Sequence, residues 1–528
     1  QVASAAAVRG FLDDYYCTSE AWSVRRSAQR VLAATNSWLH AQNQRSHARF
    51  DKDRGYVCTF SALIVRGREL HLLHVGDSRI YRLHDHALEQ LTEDHRVHLS
   101  SAESYLGRAL GVNPGVEIDY HCLPAEPGAV YLLATDGACT GLDAQAVHAS
   151  LAGSPQDFDA AAQALVDHAQ AHGSDDDMTV QLLRVDALPA GDPHHLQRQR
   201  EALALALPPP LAPRMQFEGY TVVRTLHASA RSHVHLAVDE QSGRQVVIKT
   251  PSVDMSENAD YLDRFLLEEW VARRINSPHV LRPVGTERAR RHLYVAMEYV
   301  QGQTLAQWMT DHPHPDLDSV RRIVTQLATG LSAFHGKEML HQDLRPENVM
   351  IDTAGTVKII DFASAHVAGL AEGDSAAGAL APDIVGSLQY TAPEYFVGGA
   401  ASERSDLFSL GVLTYQMLCG QLPYGLQVPQ VRTPSDLRRL RYLPLRHLRP
   451  ELPAWLDAVL AKALQPDAAR RQEAVSEFAH DLQSPGPQFH KARPAPLAQK
   501  HPLRFWQLCT LALGLAVLVL LGRMVLIP

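Results

Sequence analysis

Four side chains in the second half of the chain have types and an order that suit phosphoryl transfer from a nucleotide. Lys249 ends the short apolar run Val246–Ile248, and Asp343, Asn348 and Asp361 follow further along. Transfer of this kind needs a cation on the phosphates, oxygen ligands for a divalent metal ion and a base beside the acceptor hydroxyl. A lysine, an asparagine and two aspartates can together supply all three.

Each of these residues lies within a longer motif. The motifs, in chain order, are Val246-Val247-Ile248-Lys249, His341-Gln342-Asp343-Leu344-Arg345-Pro346-Glu347-Asn348, Asp361-Phe362-Ala363 and Ala392-Pro393-Glu394. In this order and spacing the set resembles the eukaryotic-like protein kinase superfamily, over about residues 219–482. The resemblance implies a two-lobed fold with the active site in the cleft between the lobes.

The resemblance also implies a role for each side chain. Lys249 would hold the α- and β-phosphates of ATP, and Glu268 on the following helix would pair with it. Asp343 would accept the proton of the substrate hydroxyl. Asn348 and Asp361 would bind Mg²⁺ beside the phosphates.

Further positions match the same family. The segment around Glu298 and Val300 resembles the hinge whose backbone contacts adenine, so both residues are expected at the nucleotide. By the same resemblance, Asp406 would brace the catalytic loop. Arg470 would pair with Glu394.

Two features bear on substrate and regulation. Ser387 occupies the position where serine/threonine kinases place a hydroxyl between the base and a neighbouring cation, here Arg345. The resemblance therefore implies protein serine and threonine as substrates, including sites on the chain itself. Gln342 replaces the arginine that reads activation-loop phosphate, so we expect activity that does not depend on that phosphorylation.

The phosphate-binding loop departs from the family pattern. The three glycines of G-x-G-x-x-G-x-V are replaced by His227, Ser229 and Ser232. Glycine lets backbone amides approach phosphate without a Cβ in the way. Because serine is small and its hydroxyl can donate instead, Ser229 and Ser232 are expected to contact the nucleotide, with weaker or slower binding.

A second ordered set of motifs occupies the first 185 residues. Its members include His74-Val75-Gly76-Asp77-Ser78-Arg79, Ala134-Thr135-Asp136-Gly137 and Ser174-Asp175-Asp176-Asp177-Met178-Thr179. The set resembles the metal-dependent protein phosphatase 2C family, in which two divalent ions bind phosphate and activate a water. The resemblance implies that Asp136 and Asp176 ligate Mg²⁺ or Mn²⁺ and that Asp77 is structural.

Part of that family's ligand set is missing. Its other metal ligands lie in an early R-x-x-x-E-D segment and an A-D-G-x-G segment, and neither occurs between Gln1 and Cys58. Two interpretations stay open: a complete phosphatase whose sequence is truncated at the N-terminus, or a domain that senses without catalysing. We expect an active phosphatase in the native protein but not from this chain alone.

Hydrophobic patterning predicts the elements that position the N-terminal motifs. Apolar residues fall on one helical face over residues 24–39, and residues 58–65 and 69–75 are predicted as strands joined by a turn at Gly67. Further predictions are strands at 129–134 and 179–185 and a helix at 158–171. The predicted fold class is α+β multidomain: a phosphatase 2C-like β-sandwich flanked by helices, a two-lobed kinase fold and one transmembrane helix.

Composition argues against other classes of protein. The 528 residues carry 49 Lys+Arg against 58 Asp+Glu, a net charge of −9, which disfavours nucleic acid as a partner. The six cysteines include no CxxC pair and no zinc-like spacing. Reduced thiols in a cytosolic setting are therefore expected.

The stretch 505–521 is almost wholly apolar, and about 20 such residues suffice to span a bilayer as a helix. Basic residues on its N-terminal side place both domains in the cytoplasm, so we expect a single-pass C-terminal anchor in a bacterial inner membrane. The predicted domains are a phosphatase 2C-like domain at 1–187, a Pro-rich linker at 188–215, a kinase domain at 216–484, a Pro-rich linker at 485–503 and a transmembrane helix at 504–523.

The sequence thus predicts a membrane-tethered serine/threonine kinase fused to a metal-dependent phosphatase-like domain. The alternative is a membrane scaffold, in which a pseudokinase joined to a pseudophosphatase binds nucleotide and partners without chemistry. The altered phosphate loop and the missing metal ligands favour that alternative. The presence of Lys249, Glu268, Asp343, Asn348 and Asp361 together favours the active kinase.

Overall fold

The computed structural model describes most of both predicted domains. The described residues are 2–46, 55–84, 87–98, 104–154, 157–189, 205–255, 258–285, 288, 290–370, 388–486, 489, 506, 507, 510, 513 and 514.

The N-terminal domain is a β-sandwich with helices on both outer faces. Its helices are α1 Val2–Tyr15, α2 Val24–Arg45, α3 Ala144–Gly153 and α4 Phe158–Ala171. Its strands are β1 Phe60–Arg66, β2 Glu69–Val75, β3 Arg79–His84, β4 Ala87–Gln90, β5 Arg96–His98, β6 Ser104–Leu106, β7 Asp119–Pro124, β8 Val130–Ala134 and β9 Val180–Arg184. The two larger sheets have the orders β1-β2-β7 and β4-β3-β8-β9.

Apolar side chains divide this domain into layers. Leu70 and Tyr131 pack between the two sheets, Leu73 packs on the side of α1 and α2, and Leu132 packs with Leu165 of α4 on the opposite side. Alternation along β2 and β8 sends neighbouring residues into different layers. The predicted helix at 24–39, the hairpin turn at Gly67 and the helix at 158–171 are confirmed.

The second domain begins with a five-stranded antiparallel sheet and one helix, which form a smaller lobe. The strands are β10 Gln216–Phe217, β11 Tyr220–Ala228, β12 Ser232–Asp239, β13 Gln245–Pro251 and β14 Val295–Glu298, in consecutive order. The helix is α5, Ala259–Arg274, which starts at an Asn258 side chain that accepts from the Tyr261 amide. Since α5 follows β13, the chain itself brings the helix beside the lysine that β13 carries.

A larger, mainly helical lobe follows. Its helices are α6 Leu305–Asp311, α7 Leu317–His335, α8 Glu403–Cys419, α9 Pro434–Leu437, α10 Ala454–Ala463 and α11 Val475–Gln483. Its short strands are β15 Gly302–Thr304, β16 Met339–Leu340, β17 Val349–Asp352, β18 Val357–Ile359 and β19 His366–Val367. Helix α7 buries a stripe at helical spacing that includes Val320, Val324 and Leu331, so it anchors the hairpins on which the site residues lie.

The end of the first linker differs from the sequence prediction. We expected residues 188–213 to be extended and hard to pack. Ala206 forms an isolated parallel bridge with His292, so this part is extended, but Leu205 and Leu207 pack against the core. Apolar residues between the prolines explain the difference, since burying them stabilises the packed arrangement.

The C-terminal predictions fall mostly outside the described residues. Among the residues that are described, no helix is both long and apolar enough to cross a bilayer. Of the predicted transmembrane segment 504–523, the described residues are Trp506, Gln507, Thr510, Leu513 and Gly514, which are helical.

Candidate active sites

Lys249 joins three elements at the cleft between the lobes. It lies on β13, and its Nζ is 2.7 and 2.8 Å from the two carboxylate oxygens of Glu268 on α5. The same Nζ is 3.3 Å from Asp361 Oδ1, which belongs to the larger lobe. Burial alone would lower the pKa of Lys249, but the carboxylates of Asp361 and Glu268 outweigh it and raise that pKa. The lysine is therefore a permanent cation.

The catalytic loop is held by a buried carboxylate. Asp406, on α8, is 1% exposed and accepts hydrogen bonds of 2.9 Å from the backbone amides of His341 and Gln342. It also lies 2.9 Å from His335 Nε2. The predicted bracing role of Asp406 is confirmed, and Gln342 is held at a positive φ of 66°.

Asp343 and Asn348 lie side by side in that loop. Asn348 Nδ2 donates to Asp343 Oδ2 and to the backbone O of Asp343, both at 2.9 Å. Burial raises the pKa of Asp343 above its ordinary value, against the opposing effect of nearby His341 and Arg345. A carboxylate with a raised pKa is a better proton acceptor than an exposed one. Arg345 Nε lies 2.8 Å from Glu347 Oε2.

The oxygen atoms of this cluster suit Mg²⁺. Asp361 is a carboxylate whose Oδ1 also accepts from the Ala363 amide at 3.1 Å. Asn348 uses its amide nitrogen on Asp343, which leaves its carbonyl oxygen to act as a ligand. Hard oxygen donors are those that Mg²⁺ prefers, and the ion bridges phosphate oxygens in kinases. Asn348 and Asp361 would hold it.

The loop between β11 and β12 is closed by its own serine. Ser229 Oγ donates to the backbone O of Ser232 at 3.0 Å and accepts from the amides of Arg231 and Ser232, at 3.3 and 3.1 Å. The expected donation from the Ser229 hydroxyl to phosphate therefore competes with these bonds. Two of the loop amides that could reach phosphate, those of Arg231 and Ser232, are thus already occupied.

Replacing Ser229 with alanine should lower KM for ATP about threefold to tenfold, because it frees two amides whose hydrogen bonds are each worth about 1 kcal/mol. Steady-state kinetics with varied ATP checks this. Ser242→Ala is the matched control, since Ser242 forms similar turn bonds on the opposite end of the same sheet. An unchanged KM in the Ser229 variant would show that these hydrogen bonds do not compete with phosphate, and a higher KM would show that the serine assists nucleotide binding.

The segment predicted to contact adenine follows the edge strand of the smaller lobe. Glu298 is the last residue of β14, and its side chain lies 2.6 Å from Lys358 Nζ. Its amide donates to the backbone O of Arg282 at 2.9 Å. Met297 and Val300 are buried beside it. With its side chain and amide so engaged, Glu298 retains its backbone carbonyl for a ligand.

The predicted partner of Glu394 is wrong by one residue. Arg471, not Arg470, makes two hydrogen bonds with the Glu394 carboxylate, at 2.8 and 2.7 Å, and its side chain is 0% exposed. Arg470 is 74% exposed and lies 3.3 Å from Asp467. Adjacent arginines differ only in the direction of their side chains, which the three-residue helical turn at Ala468–Arg470 decides.

We therefore expect Arg471→Ala to lower the free energy of unfolding by about 3–5 kcal/mol, because it leaves the buried Glu394 carboxylate unpaired. Arg470→Ala, the matched control, should change it by less than about 0.5 kcal/mol. Urea denaturation of both variants measures the difference. Equal effects at the two positions would contradict the assignment.

In the N-terminal domain, the segments that carry Asp136 and Asp176 lie next to each other at Gly137. Asp136 begins a short 3₁₀ turn after β8, and a Cβ on Gly137 would lie 3.0 Å from the Cβ of Asp176. Glycine is therefore required there for the two segments to approach. Burial, together with the charges of Asp77 and Asp176, raises the pKa of Asp136.

An arginine that sequence reasoning missed lies within this cluster. Arg96 is 2.7 Å from Asp77 and 2.8 Å from Asp136. The carboxylates fit a divalent cation by their chemistry, but two of them are already neutralised by a guanidinium. Arg96 begins β5, 19 residues after Asp77, and no motif marks it. Asp77, predicted to be structural, contributes to the same cluster.

Comparison with known proteins finds a matching family for each of the two domains. The family described as "Protein kinase domain" matches residues 220–482, and the family "Stage II sporulation protein E (SpoIIE)", which is phosphatase 2C-like, matches residues 15–186. Serine/threonine-protein kinase pkn2 of Myxococcus xanthus is 32% identical over 269 residues, which are 50% of this chain and 32% of that protein.

Serine/threonine-protein kinase PknB of Mycobacterium leprae is 30% identical over 283 residues, which are 53% of this chain and 44% of that protein. The crystal structure of the Mycobacterium tuberculosis PknI kinase domain aligns over 52% of this chain and 99% of that one, at 28% identity and a TM-score of 0.39. The chain thus spans less than half the length of these two curated relatives. Residues 220–482 therefore form a protein kinase domain similar to those of serine/threonine kinases, and residues 15–186 match the SpoIIE family.

Proposed function

We propose that the chain is catalytically active and transfers the γ-phosphate of ATP to serine and threonine hydroxyls of proteins, including its own. One observation carries the proposal: Lys249 contacts both Glu268 and Asp361, across the two lobes. Kinase catalysis requires this lysine–glutamate pair together with the metal-binding aspartate. Asp343 and Asn348 are paired in the same cleft.

Each side chain would then act on a stated atom. Lys249 would neutralise oxygens of the α- and β-phosphates, and Glu298 and Val300 would position adenine. Asp343 Oδ would accept the proton of the substrate hydroxyl as that oxygen attacks the γ-phosphorus. Arg345, which lies near Asp343, would offset the negative charge on the transferring group. Bound Mg²⁺ would supply further charge neutralisation on the phosphates.

Autophosphorylation with γ-labelled ATP tests the proposal. Wild type should incorporate label, and Lys249→Met and Asp361→Asn should each reduce it to background. Equal incorporation in all three proteins would sink it, because a contaminating kinase would then account for the signal. Loss of label in both variants is the informative result, because Lys249 and Asp361 lie on different lobes and act on different groups of the nucleotide.

For the first domain we propose metal-dependent hydrolysis of phosphoserine and phosphothreonine in the native protein, with Asp136 and Asp176 as ligands of Mg²⁺ or Mn²⁺. The close approach of the Asp136 and Asp176 segments at Gly137 supports it. In a phosphatase assay of the native protein with Mn²⁺, the wild type should be active and Asp136→Asn inactive. Indistinguishable rates would contradict the assignment of Asp136.

Arg96 gives a prediction that does not depend on phosphatase activity. Arg96→Gln should bind Mn²⁺ about tenfold more tightly than wild type, because the metal no longer displaces a guanidinium from Asp77 and Asp136. Isothermal titration calorimetry measures this. Arg82→Gln, which removes an arginine paired with Glu89 on the same sheet, is the control. Weaker binding in the Arg96 variant would show that Arg96 supports the site.

We also propose that residues 504–523 anchor the protein in a bacterial inner membrane, with both domains cytoplasmic. The apolar run at 505–521 and the basic residues before it support the proposal. The full chain should sediment with membranes and resist extraction at alkaline pH. Removing residues 504–528 should release it. A full chain found in the soluble fraction would refute the anchor.

The rival function is a scaffold without chemistry. The guanidinium on Asp77 and Asp136 and the serine-closed loop at Ser229 favour it. Both proposals predict nucleotide binding, so binding does not separate them. Turnover does: a scaffold would bind ATP and transfer no phosphate in the autophosphorylation assay.

A further inference from the structure

The first two helices of the N-terminal domain, α1 and α2, here called the N-terminal hairpin, pack directly against kinase helix α5. The indole of Trp270 in α5 is fully buried, and its Nε1 donates to the backbone O of Asp14 at 3.1 Å. The ring of Trp22 packs edge-on against Trp270, with ring centroids 5.8 Å apart. One hydrophobic core therefore continues from the hairpin into the smaller lobe.

Two groups of ion pairs cross the same contact. Arg274, at the end of α5, lies 2.7 Å from the Asp14 carboxylate, and the two side chains are 3% and 7% exposed. Asp263, near the start of α5, contacts Arg26 at 2.7 Å and Arg30 at 2.5 Å. Breaking the buried Arg274–Asp14 pair leaves a desolvated charge, so this pair opposes separation of the hairpin from α5. The Asp263 pairs are partly exposed and add a weaker attraction.

This contact lies on the side of α5 that faces away from the cleft. Successive helix residues are about 100° apart, so Trp270 lies about 200° from Glu268 around the axis. Glu268 faces Lys249, while Trp270 faces the hairpin. Helix α5 is thus held between the cleft and the hairpin, and a shift of the hairpin would move Glu268 relative to Lys249.

The hairpin also contacts the larger lobe. Arg45 of α2 lies 3.0 Å from Glu338 and 2.9 Å from Glu403. A Cβ on Gly369 would lie 2.2 Å from Ser37 Oγ of α2, so the helix packs closely on the segment that follows the metal-binding aspartate. The hairpin therefore bridges the two lobes whose orientation brings the cleft residues together.

We propose that the N-terminal domain has a second function as a built-in activator of the kinase, in which the N-terminal hairpin holds α5 so that Glu268 stays on Lys249. The inference rests on the proposed kinase activity. A kinase is active only when this helix is in place. Any event that loosens the hairpin then moves Glu268 away from Lys249 and lowers the rate of phosphoryl transfer.

Charge reversal in the full chain tests the inference. Arg30→Glu and Asp263→Lys should each lower kcat about 5- to 100-fold, and the double variant should recover most of the loss. Amide hydrogen exchange in α5 should be faster in each single variant and slower again in the double variant. Arg9→Glu, on an exposed position of α1, is the matched control and should leave both readouts unchanged.

Wild-type kcat and wild-type exchange in both single variants would overturn the inference. So would a loss in the single variants that the double variant does not repair, because that result indicates general destabilisation rather than loss of a specific contact. If the wild-type chain transfers no phosphate, the proposed kinase activity fails. The exchange of α5 still decides whether the hairpin holds the helix.

Discussion

Replacing Asp343 with asparagine should lower kcat for phosphoryl transfer by about 10²- to 10⁴-fold, which is the range that a positioned general base contributes. An asparagine oxygen can still accept the hydrogen bond that Asn348 Nδ2 donates to Asp343 Oδ2 at 2.9 Å. The catalytic loop should therefore keep its shape. The amide has no carboxylate to take the hydroxyl proton, so the chemical step alone is lost.

Steady-state kinetics measures kcat, and direct binding of an ATP analogue measures the affinity for nucleotide separately. The Asp343 variant should bind the analogue within about threefold of wild type, since Asp343 does not hold the phosphates. Asp311→Asn, which changes an exposed carboxylate on α6 bonded to Gln307, is the control for the same chemical change. A wild-type kcat in the Asp343 variant would show that Asp343 is not the general base.

Lys249→Met should abolish measurable activity and also destabilise the folded protein by about 3–5 kcal/mol. The activity is lost because the phosphates lose their cation. The stability is lost because Glu268, which is 2% exposed, is left as a buried charge without its partner at 2.7 Å. Removing one partner of a buried pair typically costs this amount.

A second substitution separates these two effects. Lys249→Met combined with Glu268→Gln should recover part of the free energy of unfolding, because the orphaned charge is gone, but none of the activity. Urea denaturation measures the free energy of unfolding, and autophosphorylation measures the activity. Strictly additive losses of stability would contradict a direct interaction between the two side chains.

Local patterns in the sequence were sufficient to predict many elements. Helix α2 was predicted because Val24, Ala28, Val31 and Leu32 repeat at helical spacing, and burial of that face needs no knowledge of distant residues. The apolar run Val246–Ile248 that precedes Lys249 lies in strand β13. The residues at the kinase cleft were found because each lies in a motif of several residues with its own spacing.

Other features depend on contacts between distant residues that carry no local signal. Arg471 and Arg470 are equivalent in the sequence, and only the local turn decides which one reaches Glu394. Arg96 lies 40 residues from Asp136, outside every motif. The sequence marks Trp270 only as an ordinary core residue. The fold places it against Asp14, 256 residues away.

The most direct test of the central claim is analysis of the amino acids labelled when the purified full chain is incubated with γ-labelled ATP, Mg²⁺ and a general protein acceptor. We expect one triphosphate to lie among the side chains of Lys249, Asp343, Asn348 and Asp361. This arrangement predicts labelled phosphoserine and phosphothreonine from the wild type and none from Asp343→Asn. Label confined to phosphotyrosine, or the same phosphoserine from both proteins, would contradict it.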